Sequence, residues 1–371
     1  GKSAKEIYES LAMEDIAMAA DLLRPVYDAA HGDDGFVSLE VSPDLAHDTE
    51  GTVAEARRLF SALNRPNVMI KVPATEAGLP AVERLTAEGI NVNVTLIFSL
   101  RQYEEVAEVY IRGLERRAEE GKDLREIASV ASVFVSRVDT MVDPLLEKAG
   151  ALDLLGKIAI ANSKVIYTRF RRIFSTKRWR RLAGLGARMQ RLLWGSTSTK
   201  NPRYPDTLYV DELIGPYTVN TVPPETLQAF RDHGKVARTV GRGLMKARAD
   251  LKRLSALGID LEQVCRKLQE DGVAAFKKSF DGLLSRIGEK KEKSRSSFEE
   301  RMKAAFGEAK KERVVPRLWA RDHTLWKPYP EGISNRLGWL ESAERMADRV
   351  GELDAFADEI RDEGYRHCLL L

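Results

Sequence analysis

The stretch that most constrains this chain is Asn67-Val-Met-Ile-Lys-Val-Pro-Ala-Thr75. Val68, Met69, Ile70 and Val72 are apolar, and Pro66 stops a helix just upstream. A short apolar run bounded by turn residues reads as a strand buried on both faces, the form parallel strands take inside α/β domains. Lys71 stands in the middle of that run. Lysine is rarely buried without a partner, because desolvating an ammonium is costly, and the same cost pushes an amine towards its neutral form. A neutral amine on a rigid strand is a nucleophile that can form a Schiff base with a carbonyl. The plainer alternative is a lysine that snorkels from a strand end or pairs with a carboxylate.

Around this run the chain alternates between strand and helix. Helical periodicity over residues 3–29 ends at His31-Gly-Asp-Asp-Gly35, and a strand follows at Phe36–Val41. Helices are expected over Thr49–Leu63, with Thr49 as N-cap, and over Leu79–Glu88, stopped by Gly89. Ile90–Phe98 reads as strand, Leu100–Glu119 as helix, Ala128–Val138 as strand and Leu155 to about Phe174 as helix. Leu192–Gly195 and Tyr217–Val222 close the series, with Pro223-Pro224 opening the next helix. Such alternation predicts a parallel sheet. No glycine-rich nucleotide loop follows any strand, so a (β/α) barrel is expected rather than an open nucleotide-binding sheet.

In a barrel, chemistry sits at the C-terminal ends of strands. Those ends carry Glu40, Lys71, Asn93 with Thr95, Ser132 with Arg137, and Ser196-Thr-Ser-Thr-Lys-Asn201. One buried polar residue is usually structural, but polar groups on successive strands point to a site. A lysine, a carboxylate, amides and hydroxyls suit carbonyl chemistry, and Arg137 with Lys200 and the Ser/Thr cluster suits a phosphate anchor. Standing alone, Ser196–Thr199 would be an ordinary polar loop.

Composition excludes other classes. The chain has 371 residues, enough for two domains or one barrel with an appendage, and its 43% apolar and 31% charged content is that of an ordinary globular protein. A net charge of +3 does not suggest nucleic acid or an anionic membrane. The basic stretch Thr168–Arg191, with Phe174 and Trp179 interleaved, therefore reads as a solvated helical excursion rather than a nucleic-acid surface. Cys265 and Cys368 offer no disulfide or metal spacing, which fits a cytoplasmic protein without metal or cofactor. No apolar run approaches the length of a membrane span.

The segments Val37-Ser-Leu-Glu-Val-Ser42, Ile70-Lys-Val-Pro-Ala-Thr75, Gly89-Ile-Asn-Val-Asn-Val-Thr-Leu-Ile-Phe98, Ser132-Val-Phe-Val-Ser-Arg137 and Trp194-Gly-Ser-Thr-Ser-Thr-Lys-Asn-Pro202 resemble the transaldolase family in order and spacing. The resemblance covers residues 1–287 and implies a TIM (β/α)8-type barrel, a pentose-phosphate-pathway transferase and a cofactor-free Schiff-base mechanism. It implies Lys71 as the Schiff-base lysine and Glu40 as the carboxylate working with a water. Asn93 and Thr95 would hold substrate hydroxyls and that water, Ser132 and Arg137 the donor chain and phosphate. Thr197, Ser198 and Lys200 fall where the family has a hydroxyl and a basic phosphate ligand, with a one-residue offset. The implied partners are fructose 6-phosphate, sedoheptulose 7-phosphate, erythrose 4-phosphate and glyceraldehyde 3-phosphate. The rivals are a fructose-6-phosphate aldolase and a catalytically silent assembly unit.

The resemblance also carries a departure. The family's first two strands, the first with an acid/base aspartate and the second with an Asn-Pro motif, have no counterpart here, so the barrel is expected to be open with exposed edges that pair with another copy or aggregate. The chain does not begin with Met and ends on Cys368-Leu-Leu-Leu371, which reads as a chain cut at an arbitrary point. Residues 288–297 read as a charged linker. Residues 298–371, with helical Phe298–Lys311, then Val314–Trp319, Asn335-Arg-Leu-Gly-Trp-Leu340, a helix over Ser342–Glu363 and a final strand Tyr365–Leu371, resemble the entry into a phosphoglucose isomerase domain in fused transaldolase/isomerase proteins. His323 and His367 are expected to be surface or packing residues.

Overall fold

The computed structural model describes residues 2–326 and, beyond them, residues 328, 330, 347, 350, 351 and 355. The chain divides into two compact units, Gly1–Gly288 and Glu289–Leu371.

In the first unit, α1 (Ala4–Ala29) begins with a capping box made by Ser3 and Glu6. It leads to β1 (Val37–Glu40), α2 (Thr49–Leu63), β2 (Val68–Pro73), α3 (Gly78–Glu88), β3 (Val92–Ile97) and α4 (Leu100–Glu119). Then come β4 (Ser129–Phe134), α5 (Ser136–Lys148), α6 (Ile158–Ile173), α7 (Lys177–Gly184) and β5 (Arg191–Gly195). The unit continues with α8 (Leu208–Glu212), β6 (Thr218–Asn220), α9 (Pro224–His233), α10 (Leu244–Ala256) and α11 (Leu261–Lys311), which runs on into the second unit.

All pairings are parallel, and the six strands lie in chain order from β1 to β6. Sequential parallel strands with intervening helices are the winding of a (β/α) barrel. The sheet is curled. In a flat sheet β1 and β3 would lie about 9.6 Å apart, twice the strand spacing. Yet the Asn93 amide on β3 donates to Ser38 Oγ on β1 at 3.1 Å. Side chains on the concave face must therefore converge. The described strands end at β1 on one side and β6 on the other, and these two do not pair with each other.

Two apolar layers follow from strand alternation. Outward residues such as Ile70, Val72, Val92, Val94, Val133 and Leu192 are buried under the helices in the main core. Inward, Met69, Val130 and Leu193 form a small separate cluster with Phe36 and Val219 against it. Polar side chains lie beyond this cluster, towards the strands' C-terminal ends.

Several expectations need correction. The N-cap of α2 is Asp48, whose carboxylate accepts the Gly51 N–H at 2.9 Å, whereas the Thr49 hydroxyl donates to Ala77 O at 2.7 Å. The strand expected through Val138 stops at Phe134, and Ser136 to Val138 already belong to α5. Val135 at its N-cap and Val138, Val142 and Leu146 are the buried stripe of that helix, a helical spacing hidden inside a valine-rich stretch. The basic excursion is α7 with the end of α6. Its Arg178 is held by Glu108 and Glu115, each at 2.7 Å, and Trp179 packs edge-on against Phe174.

Residues 288–297, expected as a charged linker, are helical and lie inside α11, and the division between the two units falls after Gly288. A short α12 (Val314–Trp319) follows, and Arg317 pairs with Asp322 at 2.6 Å. Of the helix expected over Ser342–Glu363, Ala347, Val350, Gly351 and Ala355 are described and are helical. The Asn335–Leu340 motif, Tyr365–Leu371, His367 and Cys368 lie outside the described residues.

Candidate active site

Register places the polar groups. Glu40 pairs with Lys71 and Lys71 with Asn93, so these three stand in one row across β1, β2 and β3. With side chains alternating along each strand, all three share the concave face. Lys71 Nζ donates to Glu40 Oε2 at 3.1 Å, with the two side chains 22% and 30% exposed. At that exposure an ion pair contributes only about 0–1 kcal/mol to stability, so its interest is chemical. An amine and a carboxylate in contact can exchange a proton between them. The pairing of Lys71 with a carboxylate is compatible with either reading of this lysine.

Asn93 is fixed from both sides. The Ser132 hydroxyl on β4 donates to its Oδ1 at 2.6 Å, while its amide donates to Ser38. The orientation of this side chain is therefore set before anything binds. Thr95, two residues on and fully buried, has a hydroxyl without a hydrogen-bond partner among the described residues. Just beyond it Leu96 takes a positive φ of 59° where the β3–β4 register shifts. Positive φ is uncommon for leucine, and such bulges re-aim side chains near sites.

Helix α11 covers the ends of β2 and β3. The Gln269 amide donates to Ala74 O at 2.8 Å and Leu96 O at 3.0 Å, carbonyls that the strands leave without partners. Two turns beyond, the Phe276 ring centroid lies 5.3 Å from Lys71 Nζ, within range of a cation–π contact. A cavity of about 230 Å³ beside Glu40 is lined by Tyr8, Glu55, Phe276 and Phe280 among others.

The second group lies at the ends of β4 and β5. Arg137 is in the first turn of α5, not at a strand end, and its guanidinium lies 5.3 Å from the Phe134 ring centroid. Among the described residues no carboxylate is within ion-pair distance of it. The Ser136 N–H donates to Ser196 O at 3.0 Å and their hydroxyls meet at 2.9 Å, which ties the two strand ends together. A helix N-terminus bearing an arginine favours an anion. Thr197 is fully buried and donates to Asn220 Oδ1 on β6 at 2.8 Å, so it bridges strands rather than facing outwards. Lys200 is exposed and donates to Ser198 Oγ at 2.8 Å.

Thus Glu40 and Lys71 are in direct contact, as are Asn93 and Ser132, and strand register sets the two pairs side by side on one face with Thr95. Arg137, Ser198 and Lys200 form a neighbouring basic edge that makes no hydrogen bond to the Lys71 group among the described residues. A second lysine, Lys164, is buried on α6 and paired with Glu212 at 2.6 Å. Sequence reasoning missed Ser38, although its alternation with Leu39 puts it on the face of Glu40. It also missed Gln269 and Phe276, for which no local signal exists.

Comparison with known proteins agrees with this arrangement. The family model described as Transaldolase/Fructose-6-phosphate aldolase matches residues 1–287. The transaldolase of Parafrankia sp. (strain EAN1pec) is 52% identical over 293 residues, covering 78% of this chain and 79% of its own length. That of Thermobifida fusca (strain YX) is 50% identical over 293 residues, covering 78% and 80%. Transaldolase 2 of Nostoc sp. (strain PCC 7120) is 48% identical over 301 residues, covering 77% and 79%. A match of this extent, on a sequentially wound parallel sheet with a lysine–carboxylate pair on its concave face, places the chain in the transaldolase/fructose-6-phosphate aldolase family.

Proposed function

We propose that the protein is a transaldolase working through a Schiff base on Lys71, transferring a dihydroxyacetone unit from a ketose phosphate to an aldose phosphate. The observation that carries this reading is the row Glu40–Lys71–Asn93, with Lys71 Nζ 3.1 Å from Glu40 and Asn93 held between Ser38 and Ser132. The Lys71 amine adds to the ketose carbonyl and water departs, leaving an iminium. Glu40, working with a water, moves the protons of that dehydration. Cleavage of the bond between carbons 3 and 4 releases an aldose phosphate and leaves its electron pair as an enamine on Lys71. The enamine then attacks the acceptor aldehyde, and hydrolysis frees the new ketose and the amine. Asn93 and Thr95 orient hydroxyls and the water; the unpartnered Thr95 hydroxyl favours this role. Arg137 and Lys200 hold the phosphate. Fructose 6-phosphate and sedoheptulose 7-phosphate are the donors in this reading, with erythrose 4-phosphate and glyceraldehyde 3-phosphate as acceptors.

The test is acceptor dependence. With fructose 6-phosphate and erythrose 4-phosphate the protein should form glyceraldehyde 3-phosphate and sedoheptulose 7-phosphate. With fructose 6-phosphate alone it should release almost no free dihydroxyacetone. Sustained dihydroxyacetone release without acceptor would make the protein an aldolase instead, and absence of product in both assays would overturn the reading.

A further inference from the structure

Between α5 and the loop after β5 lies a cluster that the lysine chemistry does not use. Along α5, Asp139, Asp143 and Glu147 recur every four residues and so form one stripe. Each receives a group from the chain that follows β5. The Tyr204 hydroxyl donates to Asp143 Oδ2 at 2.6 Å, Arg203 pairs with Glu147 at 2.9 Å, and the Tyr209 hydroxyl of α8 donates to Asp139 Oδ2 at 2.9 Å. The other carboxylate oxygens are also taken. Gly156 N–H donates to Asp143 Oδ1 at 3.1 Å and Ala159 N–H to Asp139 Oδ1 at 2.7 Å. The Tyr204 ring lies flat enough on Gly156 that an added Cβ there would meet its Cζ at 2.9 Å. Asp139 is 1% and Asp143 8% exposed.

Burying two carboxylates costs more than an apolar seam would, and what the cost secures is direction: a phenol–carboxylate bond fixes one register where an apolar seam tolerates several. The element so fixed is the loop carrying Ser198 and Lys200, which with Asp143, Tyr204 and Arg203 lines a cavity of about 220 Å³. The element it is fixed to carries Arg137 in its first turn. A rigid helix thus links the two basic groups of the anion-binding edge.

We propose that Tyr204 and Asp143, supported by Tyr209 and Asp139, are positioning residues that set the Lys200 loop at a fixed distance from Arg137, so that both cations meet one phosphate group of a sugar. This rests on reading that edge as the phosphate anchor.

The experiment measures the Kd of fructose 6-phosphate and of fructose by ligand-observed NMR titration, with Lys71→Ala in every protein so that no Schiff base forms. The proteins are the full chain and its Tyr204→Phe, Asp143→Ala and Asp143→Asn variants, with the unfolding midpoint of each recorded. Tyr204→Phe removes one hydroxyl and should raise the Kd of fructose 6-phosphate about five- to tenfold, within the net size of an ordinary hydrogen bond. It should leave fructose within about twofold. Asp143→Asn, which keeps an acceptor for the Gly156 N–H and can donate its amide to the Tyr204 oxygen, should restore most of what Asp143→Ala loses. Should Asp143→Ala fail to fold, Tyr204→Phe decides alone. If the protein carrying Lys71→Ala alone binds fructose as tightly as fructose 6-phosphate, the phosphate anchor is wrong and the proposal falls with it. If it discriminates and Tyr204→Phe discriminates equally well, the anchor stands and the positioning role is refuted.

Discussion

Asp139→Asn is the substitution whose effect the structure quantifies best. The Asp139 carboxyl is almost completely buried, and burial is the main cause that lifts it from 3.8 to about 7. The Ala159 N–H opposes that rise, nearby Asp143 adds to it and the Tyr209 hydroxyl opposes it again. Tyr204, Lys200 and Arg203 line the cavity on the loop side. A folded state that holds its proton more tightly than the unfolded chain is favoured at low pH. The contribution is full below the unfolded value near 3.8, is lost as pH rises, and is gone once pH passes about 7. Three units at 1.36 kcal/mol each give about 4 kcal/mol as the ceiling of the loss. Asp139→Asn keeps the shape and an acceptor for Ala159, can donate to the Tyr209 oxygen, and has no proton to lose. Urea unfolding followed by circular dichroism between pH 4.5 and pH 8 reads the difference. The variant should gain on the unaltered protein by about 2–4 kcal/mol across that window. Parallel pH profiles would refute the reasoning, since they would mean that Asp139 titrates as it does in the unfolded chain.

Three further outcomes follow from the contacts at the strand ends. Glu40→Gln keeps a hydrogen-bond acceptor for Lys71 but removes the base, so steady-state transfer should fall about 10²–10⁴-fold while prolonged incubation with borohydride still brings the final adduct yield to that of the unaltered protein. Equal loss of both would make Glu40 a support for Lys71 rather than a proton carrier. Arg137→Lys keeps the charge but loses the planar fork, and should weaken binding of phosphorylated sugars by about 1–3 kcal/mol while sparing unphosphorylated ones. Gln269→Ala leaves two strand-end carbonyls unpaired, and calorimetry should show the first unit destabilised by about 1–3 kcal/mol; an unchanged midpoint would show that α11 is not held there.

What was legible in the sequence was whatever local pattern determines. β2 and α4 follow from an apolar run and from a helix that Ser99 caps in a box with Gln102, and Gly89 ends α3 in the left-handed conformation. The row Glu40–Lys71–Asn93 was legible because strand ends in a barrel converge. The helical start of α5 was not, because the valines from Val130 to Val138 read on as one β-branched stretch and Val135 caps α5 without a side-chain bond. The burial of Lys164 has no local signal either, because its partner, Glu212, is 48 residues away. Thr197 looked like a ligand for the same reason, its bond to Asn220 being set by the β5–β6 pairing. The bulge that gives Leu96 a positive φ left no mark in composition.

The central claim is that Lys71 carries the covalent chemistry, and trapping tests it most directly. The protein is incubated with fructose 6-phosphate, reduced with borohydride, digested and mapped by mass spectrometry. The expected result is a single three-carbon adduct, on the peptide containing Lys71, and none in Lys71→Ala. An adduct on Lys164, or trapping that survives Lys71→Ala, would contradict it.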